Sequence, residues 1–256
     1  MSQATTPPGH APVSVAIVGA GRLGSAVARA LRAADVAVEG PLGRDAVPAA
    51  AIVLLCVPDV EIAVAAENLR GARFVGHVSG ATPLAALDAA GGESFGLHPL
   101  QTFAGGEGPE AFRGIGAAVA GSSPEALAVA RGLAERLGMT PIEISDSKRA
   151  AYHAAASIAS NFLVTLQAAA EQLAAGAGIA PADARTLLAP LVRSTVDNWA
   201  ERGPRDALTG PVARGDDATV ARQRGAVEQH APQLLPLFDE LVTCTAAVAG
   251  RERAAA

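Results

Sequence analysis

The sequence predicts two domains: a doubly wound, mostly parallel α/β sheet over residues 13–145, then an all-α C-terminal domain over residues 146–256. Two observations predict this. From Val13 to Ile144, short β-branched runs alternate with helical stretches, which argues for a parallel sheet covered on both faces. After Ser145 the strand pattern stops and only helical periodicity remains.

The elements follow in order. Val13–Val18 is an apolar strand and Arg22–Ala33 an amphipathic helix; Val36–Glu39 is a second strand. Ala51–Val57 is a continuous apolar run, the mark of a strand buried on both faces, and a helix follows over Asp59–Asn68. Arg73–Val78 is a strand, Pro83–Ala89 a short helix with Pro at its start, and Ser94–Leu97 a strand. Ile115–Ala120, Pro124–Leu137 and Pro141–Ile144 complete the sheet as strand, helix and strand. Ser147–Ala175 reads as one long helix, ended by Gly176 and Gly178. Pro181 opens a helix to about Trp199, with a kink expected at Pro190. A loop dense in Gly, Pro and charge covers Gly203–Asp217, where Thr209, Arg214 and Asp216 could bind substrate, lock the loop or meet a second subunit. Two helices close the chain, Asp217–Gln229 and Ala231–Val248. Residues 1–12, polar and Pro-rich, read as a disordered arm rather than a signal peptide.

Composition narrows the function. Half of the 256 residues are hydrophobic but only 3% are aromatic, so the core is built from Ala, Val, Leu and Ile. A net charge of −5 argues against a nucleic-acid partner or an anionic membrane surface. No apolar run reaches the roughly 18 residues that would suggest a membrane span. Cys56 and Cys244 are too few for a disulfide framework or a metal cluster, and a reduced cytoplasmic protein without a metal is expected.

Gly19-Ala20-Gly21-Arg22-Leu23-Gly24 lies between the first strand and the first helix, where a dinucleotide fingerprint belongs. Gly19 would make the tight turn, Gly21 would let the pyrophosphate approach the backbone, and Gly24 would let the helix pack on the strand. The helix N-terminus offers free N–H groups and a partial positive charge to phosphates. This makes the first domain a Rossmann domain. Glu39 could hold the ribose 2′-hydroxyl of NAD, whereas Arg44 could pair with a 2′-phosphate; the expected cofactor is NADP, with NAD possible. Val57 and Pro58 end a strand where the cofactor would cross, and Asp59 reads as the cap of the next helix. Ser79 and Gly80 end a further strand, where a nicotinamide would lie; an ordinary turn is the other reading.

Two constellations carry candidate chemistry. His98, fixed by Pro99 just beyond a strand end, can exchange a proton near neutral pH, and Gln101 can hydrogen-bond a carboxylate or amide. His153, Ser157 and Asn161 are spaced by four and share one stripe of an Ala-rich helix, flanked by Tyr152 and by Lys148, the only lysine. A polar stripe on such a helix faces a ligand, a partner or a hydrogen-bonded core network.

Taken together, Gly19–Gly24, His98–Phe103, Ser157–Asn161 and Leu208–Asp216 resemble the bacterial Rossmann-like proteins with a C-terminal helical domain of unknown function. That group resembles the 6-phosphogluconate dehydrogenase-like two-domain reductases. The resemblance implies an NAD(P)-dependent oxidoreductase with its active site between the domains and a helical domain that dimerises. The helix resembles that of ketopantoate reductases, where a lysine and two asparagines recur at spacings of four; here His153 replaces the lysine and only Asn161 matches in type. Gly96-Leu97-His98-Pro99 resembles prephenate and arogenate dehydrogenases, where the histidine accepts the substrate's hydroxyl proton. Pyrroline-5-carboxylate reductases share the two-domain plan without this His-Pro. The expected function is reduction of a small carboxylated carbonyl compound such as ketopantoate, with His98 or His153 supplying the proton and Asn161, Ser157 and Gln101 orienting the substrate. The alternatives are a dehydrogenase of a hydroxylated or cyclohexadienyl acid with His98 as base, and a non-catalytic NAD(P) sensor.

Overall fold

A computed structural model describes residues 14–251, so the expected arm at 1–12 lies outside the described residues. The chain forms two compact units, the first ending at Ser160 and the second beginning at Asn161. The helix that opens at Arg149 therefore belongs to the first unit, although the sequence pattern alone puts the boundary after residue 145.

The first unit is a seven-stranded sheet: β1 (Ser14–Val18), β2 (Ala37–Leu42), β3 (Ile52–Leu55), β4 (Phe74–His77), β5 (Glu93–Pro99), β6 (Gly116–Gly121) and β7 (Thr140–Glu143). Their order across the sheet is β2-β1-β3-β4-β5-β6-β7, and only β5 and β6 run antiparallel. The helices are α1 (Arg22–Ala33), α2 (Ile62–Glu67), α3 (Pro124–Arg136) and α4 (Arg149–Ala159). Side chains alternate across each strand. Val15, Ile17, Leu54, Phe95 and Leu97 point into one core with residues of α1 and α3. Ala16, Val18, Val53, Leu55 and Val75 point into the other, with Ile62, Ala65 and Ala66 of α2. Gly76 makes room for Phe95, whose ring would lie 2.3 Å from a Cβ at that position. Ser123 caps α3 by accepting a hydrogen bond from the Ala126 N–H at 3.0 Å.

The register explains two departures from the sequence reading. β2 continues to Leu42 past a shift in its pairing with β1, so Glu39 sits within the strand rather than at its end. β5 pairs with β4 only as far as His77 opposite Gly96, but with β6 as far as Pro99 opposite Ala117. His98 is therefore a strand residue, held by β6 alone beyond the end of β4, and not a residue beyond a strand.

The second unit contains α5 (Asn161–Gly176), α6 (Pro181–Ala207), α7 (Pro211–Arg214), α8 (Asp217–His230) and α9 (Leu235–Val248). The long helix expected over 147–175 is divided at Ser160 (φ −118°, ψ −75°) into α4 and α5. Serine and asparagine at the break compete for backbone hydrogen bonds and weaken helix continuity there. α6 runs through Pro190 and is interrupted instead at Gly203 (φ 77°, ψ 171°), where glycine tolerates the left-handed φ. Asp216 caps α8 through the Thr219 N–H at 3.0 Å, and Arg251 Nη1 donates to the Val212 carbonyl at 3.4 Å, so this loop is locked locally. Paired hydrogen bonds from Arg185 to Glu171 and from Arg224 to Asp239 join α6 to α5 and α8 to α9. No helix among the described residues is long and apolar enough to cross a membrane.

Candidate active site

The three fingerprint glycines occupy three different environments. Gly19 has φ +114°, and a Cβ there would lie 2.3 Å from the Cys56 carbonyl oxygen. A Cβ on Gly24 would lie 2.0 Å from the Gly19 carbonyl oxygen, so this glycine lets α1 close on the turn. A Cβ on Gly21 would meet nothing within 4 Å: the space above it is open. Gly21 is also the N-cap of α1, with no side-chain cap and no acidic residue in the first turn. Free N–H groups, a positive helix end and open space over a bare glycine are what a pyrophosphate needs. Arg22 is exposed at the same end, with its side-chain methylenes against Gly105, while Leu23 packs on the core. Val57 lies against the turn, its amide nitrogen 3.2 Å from the Cβ position of Gly19, and the exposed Pro58 follows it.

The two candidates for the ribose end separate clearly. The Glu39 carboxylate accepts hydrogen bonds from the Ala49 and Ala50 N–H groups at 3.1 and 3.2 Å and is committed there. Arg44 lies two residues past β2, 63% exposed, with Nη1 2.8 Å from Glu61 Oε1. The side chain available beside the end of β2 is thus cationic.

Beyond β4, Ser79 and Gly80 form a buried turn held on every side. The Ser79 N–H donates to His77 Nδ1 at 3.2 Å, and the Ser79 carbonyl accepts from Arg149 Nη1 at 3.3 Å. Its hydroxyl donates to Asp59 Oδ2 at 2.8 Å and accepts from the Thr82 N–H at 2.9 Å. In this structure the hydroxyl is engaged within the turn and by Asp59. Asp59 does not cap the following helical turn; Pro58 holds the cap position and no side chain caps it.

Both histidines converge on Gly80. A Cβ there would lie 2.9 Å from His153 Cδ2 and 3.0 Å from His98 Cε1. The His98 and His153 ring centroids are 6.2 Å apart, and His98 Nδ1 lies 2.8 Å from the Tyr152 hydroxyl. Burial and the neighbouring His153 push the His98 pKa down to about 4, so the imidazole is neutral at pH 7. Burial raises the Tyr152 pKa, so the phenol keeps its proton. A neutral imidazole whose Nδ1–H donates to the Tyr152 oxygen presents a lone pair at Nε2 and can accept a proton; in the other tautomer the phenol donates and Nε2 carries hydrogen. Cys56 is buried with its pKa pushed up to about 12 and stays an inert thiol.

The remaining candidates do not join this cluster equally. Ser157 is half-buried one turn beyond His153 on α4. Asn161 begins α5 across the Ser160 break, in the second unit, so the expected stripe is interrupted there. Gln101 is exposed, and its Oε1 accepts from the Thr102 N–H at 2.8 Å. Lys148 is exposed, whereas its neighbour Arg149 is buried.

Sequence reasoning missed Arg149, Asp59 and His77 as parts of the turn, and passed over Tyr152 as a flank. A usable signal existed for Arg149: the four-residue spacing of His153 and Ser157 extends one turn upstream to it.

Comparison with solved structures places the fold. A protein of Bacteroides fragilis described as an NADP oxidoreductase superposes with a TM-score of 0.76 at 19% identity, covering 92% of this chain and 98% of that one. A protein of Thermotoga maritima gives 0.74 at 26% identity with the same coverages. Plasmodium falciparum pyrroline carboxylate reductase, solved with NADP bound, gives 0.60 at 11% identity, covering 94% and 100%. No curated protein matches. The family model described as a domain of unknown function, DUF2520, matches residues 115–245, and this chain, a Rossmann sheet followed by a helical region, belongs to that family.

Proposed function

We propose that the protein is an NAD(P)-dependent oxidoreductase that interconverts a carbonyl and a hydroxyl on a small carboxylated substrate. The observation that carries this is the convergence of His153 and the Tyr152-bonded imidazole of His98 on a bare glycine just beyond the carboxyl end of β4. In doubly wound sheets, ligands lie across the carboxyl ends of the strands. A non-catalytic sensor has no use for a proton-exchanging cluster at that place.

Gly19, Gly21 and Gly24 with the N-terminus of α1 and Arg22 would hold the pyrophosphate. Arg44 would hold a 2′-phosphate, which supports NADP; NAD would forgo that contact. The dinucleotide supplies or accepts the hydride. The chain's own residues manage the proton. In the oxidising direction the neutral His98 takes the substrate's hydroxyl proton at Nε2, while Tyr152 fixes its tautomer through Nδ1. In the reducing direction the same path runs backward, and His98 or His153 gives a proton to the forming alkoxide, a role worth about 10²- to 10⁴-fold in rate. Ser157 is one turn from His153 and available to a substrate polar group; Gln101 and Asn161 would orient the substrate through hydrogen bonds.

A 2-oxo acid such as ketopantoate is the first substrate to test, on the spacing of the α4 polar residues. The depressed pKa of His98 favours a second reading, a dehydrogenase of a hydroxylated or cyclohexadienyl acid with His98 as base. A homodimer through the helical unit is supported by Phe162, Leu187, Leu191 and Trp199, each more than half exposed. Reduced Cys56 and Cys244 fit a cytoplasmic setting.

The experiment is NADPH oxidation by the purified protein with ketopantoate, followed by absorbance, alongside NADP reduction with hydroxy and cyclohexadienyl acids. Turnover lost at least a hundredfold in His98→Ala, with NADPH still bound, is the expected result. NADPH binding without turnover in either direction would discard the catalytic reading in favour of the sensor.

A further inference from the structure

We infer that Arg149 is the positioning residue of the cluster: its guanidinium fixes the Ser79–Gly80 turn and seats α4, and so sets how Tyr152 and His153 meet His98. Arg149 is only 3% exposed, and a buried guanidinium persists only when its donors are paired. Its Nε donates to Asp146 Oδ1 at 2.6 Å and its Nη1 to the Ser79 carbonyl at 3.3 Å. Its Nη2 lies 2.3 Å from where a Cβ on Gly96 would be, so glycine on β5 is what lets the group enter. Asp146 in turn accepts from the Leu84 N–H at 2.9 Å, which ties the ion pair to the segment beyond the turn.

Two further facts turn these contacts into a positioning role. Arg149 is the only buried residue of α4, so this helix is seated by a cation rather than by an apolar stripe. Tyr152 and His153 stand three and four residues along, on the face that Arg149 presents. Gly96 and His98 likewise share one face of β5, two residues apart, so the guanidinium and the imidazoles meet the same side of the sheet. Lysine cannot replace this arrangement, because a point charge cannot bridge a carboxylate and a carbonyl along two fixed directions.

The inference rests on the proposed function only in taking the Gly80 turn as the reaction centre, and its test needs no substrate. The groups whose charge acts on His98 are His153 and Arg149 from α4 and Asp59 from the segment after β3. Histidine ring ¹³C resonances of the full chain would be titrated for wild type, Arg149→Met and Arg149→Lys, with NADPH affinity followed by fluorescence and folding by circular dichroism. In Arg149→Met the His98 midpoint should rise from its wild-type value, with a smaller rise in Arg149→Lys, chiefly because the cluster opens to water and in lesser part because a cation is removed. NADPH affinity should stay within about twofold in both, since the glycine cradle stands apart on β1 and α1. A His98 midpoint unchanged in both variants overturns the inference. So does NADPH affinity falling about tenfold, which would assign Arg149 to the cofactor cradle. Unfolding of both variants would make Arg149 a residue of the fold as a whole and overturn it as well. A chain without turnover on any substrate would still give these titrations, so the two readings fail separately.

Discussion

Acid should destabilise the first unit well before its carboxylates titrate, because two of its histidines are held neutral. His77 is fully buried, and burial, then the nearby Arg149 cation, lowers its pKa to about 4. Its Nδ1 also accepts the Ser79 N–H, so protonation there would cost that bond. The sign follows from linkage. The folded pKa lies below the unfolded value of about 6.5, so the unfolded chain binds more protons between pH 6.5 and 4, and stability falls as pH drops through that window. Between pH 7.5 and 5.0, a shift from 6.5 to 4 makes His77 worth about 2 kcal/mol. His98 carries a shift of the same size but is only half-buried, so it adds at most that amount. A loss of about 2–4 kcal/mol moves a urea midpoint by roughly 1 M or more. The chain has a single tyrosine and a single tryptophan, Tyr152 in the first unit and Trp199 in the second, so second-derivative absorbance follows the two units separately. The tyrosine-reported midpoint should fall between pH 7.5 and 5.0, and His77→Gln should remove about half of the fall. A tyrosine-reported midpoint that stays fixed over this range, or an undiminished fall in His77→Gln, would refute the reasoning.

The cradle and the ribose end give two further tests. Gly21→Ala should leave the melting temperature almost unchanged, because its Cβ meets nothing, yet weaken NADPH about tenfold or more by filling the space above the helix end. Gly24→Ala should instead destabilise by about 1–3 kcal/mol, because its Cβ falls on the Gly19 carbonyl; calorimetry and fluorescence titration of the pair separate the two roles. Arg44→Ala should weaken NADPH about tenfold and leave NADH unaffected, whereas Glu61→Gln, which frees Arg44 from its exposed ion pair, should tighten NADPH by up to about fivefold; equal effects on both cofactors would remove Arg44 from the 2′-phosphate.

What the sequence disclosed, and what it hid, divides along physical lines. The sheet was legible because a strand buried on both faces can only be a continuous apolar run, as Ile52–Leu55 is. The glycine fingerprint was legible because Gly19 and Gly24 answer local steric demands and Gly21 sits between them at the start of the first helix. The proximity of His98 and His153 was not, since 54 residues separate them and only the sheet order brings them together. The end of β2 was misplaced at Glu39 because distance along the sequence does not reveal a register shift that carries the strand on to Leu42. The continuous polar stripe from His153 to Asn161 misled because one residue, Ser160, breaks the helix that the periodicity joins. Arg149 was hidden among alanines because a charged residue beside Lys148 reads as a solvated helix start, and only the bare Gly96 on a distant strand makes room to bury it.

The antiparallel pairing of β5 with β6 has a chemical consequence. In an all-parallel arrangement a strand that outran its neighbour would leave its last residues unsupported, and a histidine there would be a loop residue with free rotamers. Here β6 runs back along β5 and pairs with it as far as Pro99, while β4 has already turned away at His77. The backbone of His98 is fixed on one side and open on the other, over the gap where the Ser79–Gly80 turn lies. Its ring is then restrained from a third direction by the Tyr152 hydroxyl at 2.8 Å. A base is useful when its geometry is fixed before the substrate arrives, since little ordering remains to be done at the moment of proton transfer. Burial and the neighbouring His153 keep the imidazole deprotonated against the opposing charge of Asp59, and the absence of a side chain at Gly80 is what lets both imidazoles approach the turn so closely.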